Sequence, residues 1–148
     1  SYERGIPSFE PPKVLGKFPI IVPKVDEDGI DLGGIRLPEI AVPVATYTGW
    51  NFRAPITGSP DEMAAFVGSY LPFPMTEQEA ERAEDPRKSI TERYPSKKAY
   101  LDKVHKAINT LIANRYLLAG DAPAVLARAN EHWDWAFRPR PNRKQTQL

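Results

Sequence analysis

The sequence contains no cysteine, no long apolar run and no large excess of charge of either sign. Without cysteine the chain can form no disulfide, thiolate metal site or thiol nucleophile. Its apolar runs are well below the roughly 18–20 residues that a membrane-spanning helix needs. The net charge of +1 comes from 20 basic and 19 acidic residues. So small a charge argues against binding of nucleic acid through the overall charge of the protein. We therefore expect no membrane span and no nucleic-acid partner.

Motifs that carry catalysis or cofactor binding are missing as well. There is no Gly-x-Ser-x-Gly elbow, no Gly-x-Gly-x-x-Gly segment and no Walker loop. The two histidines, His105 and His132, are too far apart for a His-Glu-x-x-His zinc pattern, and we interpret each as a boundary or surface residue. The aspartates around Gly29 are out of register for a calcium loop. The sequence therefore predicts no catalytic residue, no metal site and no cofactor in this chain.

Proline is what the chain has in excess, with 11 of its 16 prolines in the first 75 residues. Such a half cannot be mostly helical, and proline is also excluded from central strands. We expect an irregular half with one or two short strands, at 18–22 and 40–47, and a turn at 26–29 where Gly29 supplies a positive φ. Loops of this kind need a surface to lie on, which favours contact with another polypeptide.

The second half predicts helices that begin at about residues 60, 76, 89, 96 and 121, because a capping residue or an early proline stands at each start. The best helix spans 96–115. Its apolar positions form one continuous stripe: Tyr100, Val104, Ala107, Ile108, Leu111 and Ile112. Gly120 separates it from the last helix, so the two should form an antiparallel hairpin. A second apolar face follows on that last helix: Val125, Ala129, Trp133 and Phe137.

These elements predict one α+β domain, since 148 residues fit a single core. We divide it into an extended N-terminal arm at 1–17 and a domain at 18–137, with strands and loops at 18–59 and helices at 60–137. A basic tail follows at 138–148, with four cations and no acid, and its composition predicts disorder. Because the sequence starts at Ser1 instead of Met, we expect a processed product or a fragment.

One stretch has the composition of a ligand wall. Around Gly49 it combines a hydroxyl, an indole, an amide and a guanidinium, in Thr48, Trp50, Asn51 and Arg53. Apolar bodies can shape a pocket while a few polar tips orient a ligand. The same mixture also suits an ordinary buried loop whose polar side chains satisfy backbone groups.

Segment 33–51, GGIRLPEIAVPVATYTGWN, resembles a signature of the alpha/beta hydrolase domain family of large bacterial proteins. Shorter similar segments lie at 22–29, 68–73, 85–89, 92–94 and 115–118, so the resemblance covers about 18–137. It concerns the C-terminal end of that family. The nucleophilic serine and the catalytic histidine are expected upstream of this region.

The resemblance implies an α+β piece that packs on an α/β-hydrolase core. It implies a non-catalytic C-terminal portion or subunit of a serine carboxyl ester hydrolase, with a larger polypeptide as partner and an ester as substrate. Thr48, Trp50, Asn51 and Arg53 would then lie at the rim of the substrate pocket. The alternative is a stand-alone interaction or structural module, in which Trp133, Trp135 and Phe137 anchor a partner.

Overall fold

The computed structural model describes residues 16, 19, 21–58, 60–64 and 67–138. The regular elements are α1 (Pro38–Ala41), β1 (Ala45–Thr48), β2 (Ser69–Pro72), α2 (Glu77–Arg82), α3 (Ile90–Arg93), α4 (Lys97–Ala113) and α5 (Ala122–Ala136). Two 3-10 turns, at Pro55–Thr57 and Ala119–Asp121, lie between them. The predicted α+β class is confirmed. The predicted arm and tail lie outside the described residues, apart from Gly16 and Arg138.

The sheet consists of β1 and β2, which pair antiparallel from Ala45 opposite Pro72 to Thr48 opposite Ser69. Strand β2 was not predicted. Because it lies at Ser69–Pro72, the region at 60–137 is not helical from its start, although that had been expected. The predicted helix at about 60–67 is wrong, because none of the described residues there is helical. Met63 instead bridges Phe52. Pairing with a distant part of the chain satisfies these backbone groups and overrides the local helix-start signal.

The predicted strand at 40–47 is correct only in its second part. Residues Pro38–Ala41 form the short helix α1, with Pro38 in its first turn, where proline is well tolerated. The Val42 N–H donates to the Pro38 carbonyl at 2.9 Å, which extends the helical turn to Val42. The strand begins only after Pro43, at Ala45. Of the other predicted strand, at 18–22, Pro19, Ile21 and Val22 are described, and these three lie outside regular structure.

The helix starts at 76, 89 and 96 are confirmed together with their caps. Thr76 Oγ1 accepts from the Glu79 N–H at 3.2 Å. The Ser89 N–H donates to Glu92 Oε2 at 2.7 Å. These contacts satisfy backbone donors that the first turn leaves unpaired. None of the helices in the described ranges is long and apolar enough to cross a membrane.

Helices α4 and α5 form the predicted antiparallel hairpin. The start of α4 lies beside the end of α5, since Lys97 Nζ is 2.6 Å from Asp134 Oδ1 and the Tyr100 and Trp133 rings are 4.7 Å apart. Trp133 is only 7% exposed, so it belongs to the core and is not available as a partner anchor. Phe137 stacks on Trp133 at 3.9 Å. The core joins both halves of the chain: Val42, Val44, Phe73, Ile90, Tyr94, Tyr100, Val104, Ile108, Ala129 and Trp133.

The acidic turn at 26–29 is fixed to the rest of the molecule by arginines. Gly29 has the expected positive φ of 74°. Asp26 pairs with Arg36 at 2.7 Å, and Asp28 Oδ2 accepts from Arg93 at 2.8 Å. The Arg93 guanidinium also lies over the buried Phe73 ring, 4.1 Å from its centroid. The predicted turn thus connects the irregular half of the chain to α3.

Candidate functional site

The four residues singled out from the sequence lie at the end of β1, which holds Thr48, and in the loop that follows it, which holds Trp50, Asn51 and Arg53. Hydrogen bonds fix the backbone of this loop. Thr48 Oγ1 donates to the Trp50 carbonyl at 2.5 Å. Ser69 Oγ donates to the same oxygen at 3.3 Å. Because Thr48 and Ser69 are opposite each other in the sheet, the strand pair itself supplies both donors. The position of Trp50 is therefore set by the sheet.

Asn51 and Arg53 attach this loop to the segment at 62–64. The Asn51 carbonyl accepts from the Ala64 N–H at 2.9 Å, and the Arg53 N–H donates to the Glu62 carbonyl at 2.9 Å. The Arg53 guanidinium also pairs with the Glu62 carboxylate at 3.1 Å, with both side chains about half exposed. Within this chain both residues hold the loop in place. Their role in orienting a ligand stays a prediction.

The Trp50 side chain is half-buried and packs edge-on against Phe52, with ring centroids 5.6 Å apart. Its indole N–H is buried and has no hydrogen-bond partner among the described residues. An unpaired buried donor costs about 1–3 kcal/mol. A group that brought an acceptor to this N–H would recover that free energy, so Trp50 has both an apolar face and an unused donor for recognition.

Beside this loop lies a group of rings that we call the aromatic cluster, formed by Tyr47, Tyr70, His132 and Trp135. Tyr47 is opposite Tyr70 in the sheet, with ring centroids 5.3 Å apart. The Tyr70 phenol oxygen is 2.8 Å from His132 Nε2. His132 stacks on Trp135 at 5.9 Å. The cluster therefore joins the sheet to α5 through the contact of Tyr70 with His132 and through packing of the rings.

Burial controls the charge of this cluster. Burial lowers the pKa of His132, and Glu39 opposes that shift only in part. Burial raises the pKa of the Tyr47 phenol well above its usual value, and its hydroxyl has no hydrogen-bond partner in the described part of the chain. At neutral pH both groups are uncharged. With both groups uncharged, the bond between Tyr70 and His132 is made by one hydrogen, carried by the Tyr70 hydroxyl or by His132 Nε2 according to the tautomer of the histidine.

His132 was predicted to be a boundary or surface residue, and its contact with Tyr70 was not predicted. The spacing of His132 and Trp135 on one helix, three residues apart, indicates that these two rings are neighbours. Nothing in the spacing connects Tyr70 to a residue 62 positions later. The other histidine, His105, is exposed and has Asn109 at 3.4 Å, as a surface residue would.

Of the aspartates near Gly29, Asp26 and Asp28 form ion pairs with arginines. The described ranges contain no group of three or more His, Asp or Glu side chains suited to a metal ion. The family model described as "Alpha/beta hydrolase domain" matches residues 4–127. Searches of curated proteins and of solved structures find no significant match.

Proposed function

This chain belongs to the alpha/beta hydrolase domain family, and we propose that it forms a non-catalytic part of a serine ester hydrolase. In this role it covers and stabilises a catalytic core carried by a larger polypeptide. The loop with Thr48, Trp50, Asn51 and Arg53 contributes to the rim of the substrate pocket. The nucleophile and the general base come from that core.

The observation that carries this proposal is the set of hydrogen-bond partners of the described histidines and serines. A serine hydrolase needs a serine hydroxyl hydrogen-bonded to a histidine that an acid orients. His132 is bound to Tyr70 at 2.8 Å, and His105 is exposed on α4. Within the described residues, neither histidine forms a hydrogen bond with a serine.

The described serines have other partners. Ser69 Oγ donates to the Trp50 carbonyl at 3.3 Å. Ser89 Oγ donates to Glu92 at 2.5 Å. Ser96 Oγ accepts from the Ala99 N–H at 3.1 Å. Each hydroxyl thus fixes a loop or a helix start, which supports a structural role for this part of the chain.

Exposed apolar side chains in the irregular half support a partner polypeptide. Ile21 is 86% exposed and Ile56 is 92% exposed. Leu32, Ile35 and Leu37 are each about half exposed. Burying such side chains on a second surface releases about 25 cal/mol per Å² of apolar area. A hydrolase core is the occupant that family membership favours.

Native mass spectrometry of the purified material, followed by denaturation, tests the proposal. We expect a complex that separates into this chain and a larger chain whose sequence contains a serine elbow. In parallel, we expect the native material to hydrolyse a short-chain nitrophenyl ester and the isolated chain to be inactive. A chain that is found alone, with no esterase activity in the native material, would overturn the proposal and favour a stand-alone interaction module.

A further inference from the structure

Segments 51–53 and 62–64 form one short antiparallel bridge, which is centred on Phe52 and Met63. The two backbone hydrogen bonds that hold the bridge are formed by the residues on either side of this pair. Phe52 and Met63 are therefore a non-hydrogen-bonded pair, the arrangement in which opposite side chains come closest together. The bridge thus places both apolar side chains next to each other on one face.

The charged pair of this bridge lies on the other face. Side chains alternate between the two faces of a strand, so Arg53 and Glu62 point away from the face of Phe52 and Met63. The Arg53 guanidinium pairs there with the Glu62 carboxylate at 3.1 Å. The side-chain oxygen of Asn51 also has a partner, since it accepts from the Phe52 N–H at 2.8 Å. The polar groups expected to orient a ligand are thus already paired within the chain.

The opposite face is apolar, and we call it the apolar rim, formed by Trp50, Phe52 and Met63. The Trp50 and Phe52 rings meet edge-on, with centroids 5.6 Å apart. Phe52 is 44% exposed and Met63 is 37% exposed. The indole N–H of Trp50 has no hydrogen-bond partner among the described residues. An apolar wall with one free donor is typical of a small-molecule site.

The size of the apolar rim favours a small molecule over a protein as its occupant. A stable protein interface buries about 800 Å² on each partner, from roughly 20–30 residues, whereas the apolar rim has three side chains. A charged group placed on it would lose hydration and gain no partner. An uncharged apolar group avoids that cost, and an oxygen that it carries can accept from the Trp50 N–H.

Building on the proposed hydrolase role, we propose that the apolar rim binds the hydrophobic part of an uncharged ester. Phe52 and Met63 are then specificity-determining residues, because they contact that part of the substrate. Each methylene group that is buried favours binding by about fourfold. The substrate class is therefore an ester with an apolar group of several carbons, without a carboxylate at that place.

The native material, with the larger chain bound, is assayed with two series of esters. One series varies the acyl chain of nitrophenyl esters from acetate to hexanoate, and the other varies the alcohol of acetate esters from methyl to hexyl. We expect kcat/KM to rise with chain length in one series, which identifies the part of the ester that contacts the apolar rim. In that series F52S/M63S should lower the ratio of kcat/KM between the longest and the shortest ester by about tenfold or more. Phe52→Leu, which stays apolar, should keep most of it.

Glu62→Ser is the matched control, because it removes a side chain of the same bridge on the opposite face and should leave the ratio unchanged. Native mass spectrometry of each variant checks that the larger chain stays bound. If kcat/KM does not rise with chain length, or F52S/M63S keeps the ratio or behaves like Glu62→Ser, this inference is overturned and the hydrolase role stands. Loss of the larger chain from F52S/M63S would assign the apolar rim to a protein interface and also overturn it. Native material without esterase activity would overturn both proposals.

Discussion

Arg93 on α3 and Asp28 in the acidic turn are 65 residues apart, and their side chains form a two-pronged ion pair. The side chains of both residues are mostly buried, with 13% and 20% exposure. The same guanidinium lies 4.1 Å from the centroid of the Phe73 ring. One arginine thus connects the acidic turn, the end of β2 and α3.

Arg93→Gln should therefore destabilise the protein by about 1.5–3 kcal/mol, since hydrogen bonds to a charged and largely buried partner are lost. Urea unfolding followed by circular dichroism measures the effect. The matched control is Lys98→Gln, which breaks the exposed pair with Asp102 and should cost less than about 1 kcal/mol. Equal effects of the two substitutions would contradict this assignment.

Tyr70→Phe removes the hydroxyl that contacts His132 and keeps the packing of the ring against Tyr47 and Trp135. We expect a loss of about 1 kcal/mol in the free energy of unfolding and a shifted NMR titration of the His132 ring. Tyr116→Phe, at an exposed tyrosine, is the control and should change neither quantity. A Tyr70→Phe variant that matches this control in both measurements would show that the hydrogen bond is not formed in solution.

Stability should fall on acidification because of His132. Burial lowers its folded pKa, whereas an unfolded histidine titrates near about 6.5. The unfolded state therefore binds more protons below that pH, so stability is lost as the pH falls from neutral through the folded pKa. The Arg87 hydrogen bond lowers the pKa of Asp85, so its contribution is lost only in more acidic solution.

Unfolding curves measured between about pH 5 and 8 test this window. His132→Gln should flatten the pH dependence there, while the exposed His105→Gln should preserve it. If His132→Gln retains the full slope, another group is responsible for it.

Gly68→Ala should destabilise the start of the strand pair. A Cβ at this position would overlap the Thr48 carbonyl oxygen, which belongs to rigid backbone. Such overpacking costs about 1–3 kcal/mol. Gly49→Ala is the control, because a Cβ there has no neighbour within 4 Å. Thermal unfolding should show a lower melting temperature for Gly68→Ala only, and similar temperatures for both would refute the close approach.

Trp50→Ala should change substrate preference in the assembled enzyme, because it removes the apolar face and the unused N–H at the proposed pocket rim. We expect the ratio of kcat/KM between small and bulky esters to change by about tenfold or more. Leu118→Ala, at an exposed leucine of the helical half, should leave the ratio unchanged. Unchanged ratios across several esters in Trp50→Ala would place this residue away from the pocket.

The sequence by itself determined the features that depend on neighbouring residues. The caps at Thr76, Ser89 and Ser96, the apolar stripe of α4 and the positive φ of Gly29 were all predicted, because each depends on contacts within one turn. Proline content alone indicated that the first half is irregular. The loop with Trp50 could be singled out by its unusual mixture of side chains.

Only the tertiary structure decided which distant segments pair. Strand β2 and the bridge between Phe52 and Met63 depend on backbone partners that lie far along the chain, so a local helix-start signal at 60 was misleading. The contact of Tyr70 with His132 likewise needs the sheet to lie against α5. Backbone and phenol groups satisfy their hydrogen bonds wherever the whole fold offers a partner, and local sequence does not specify that partner.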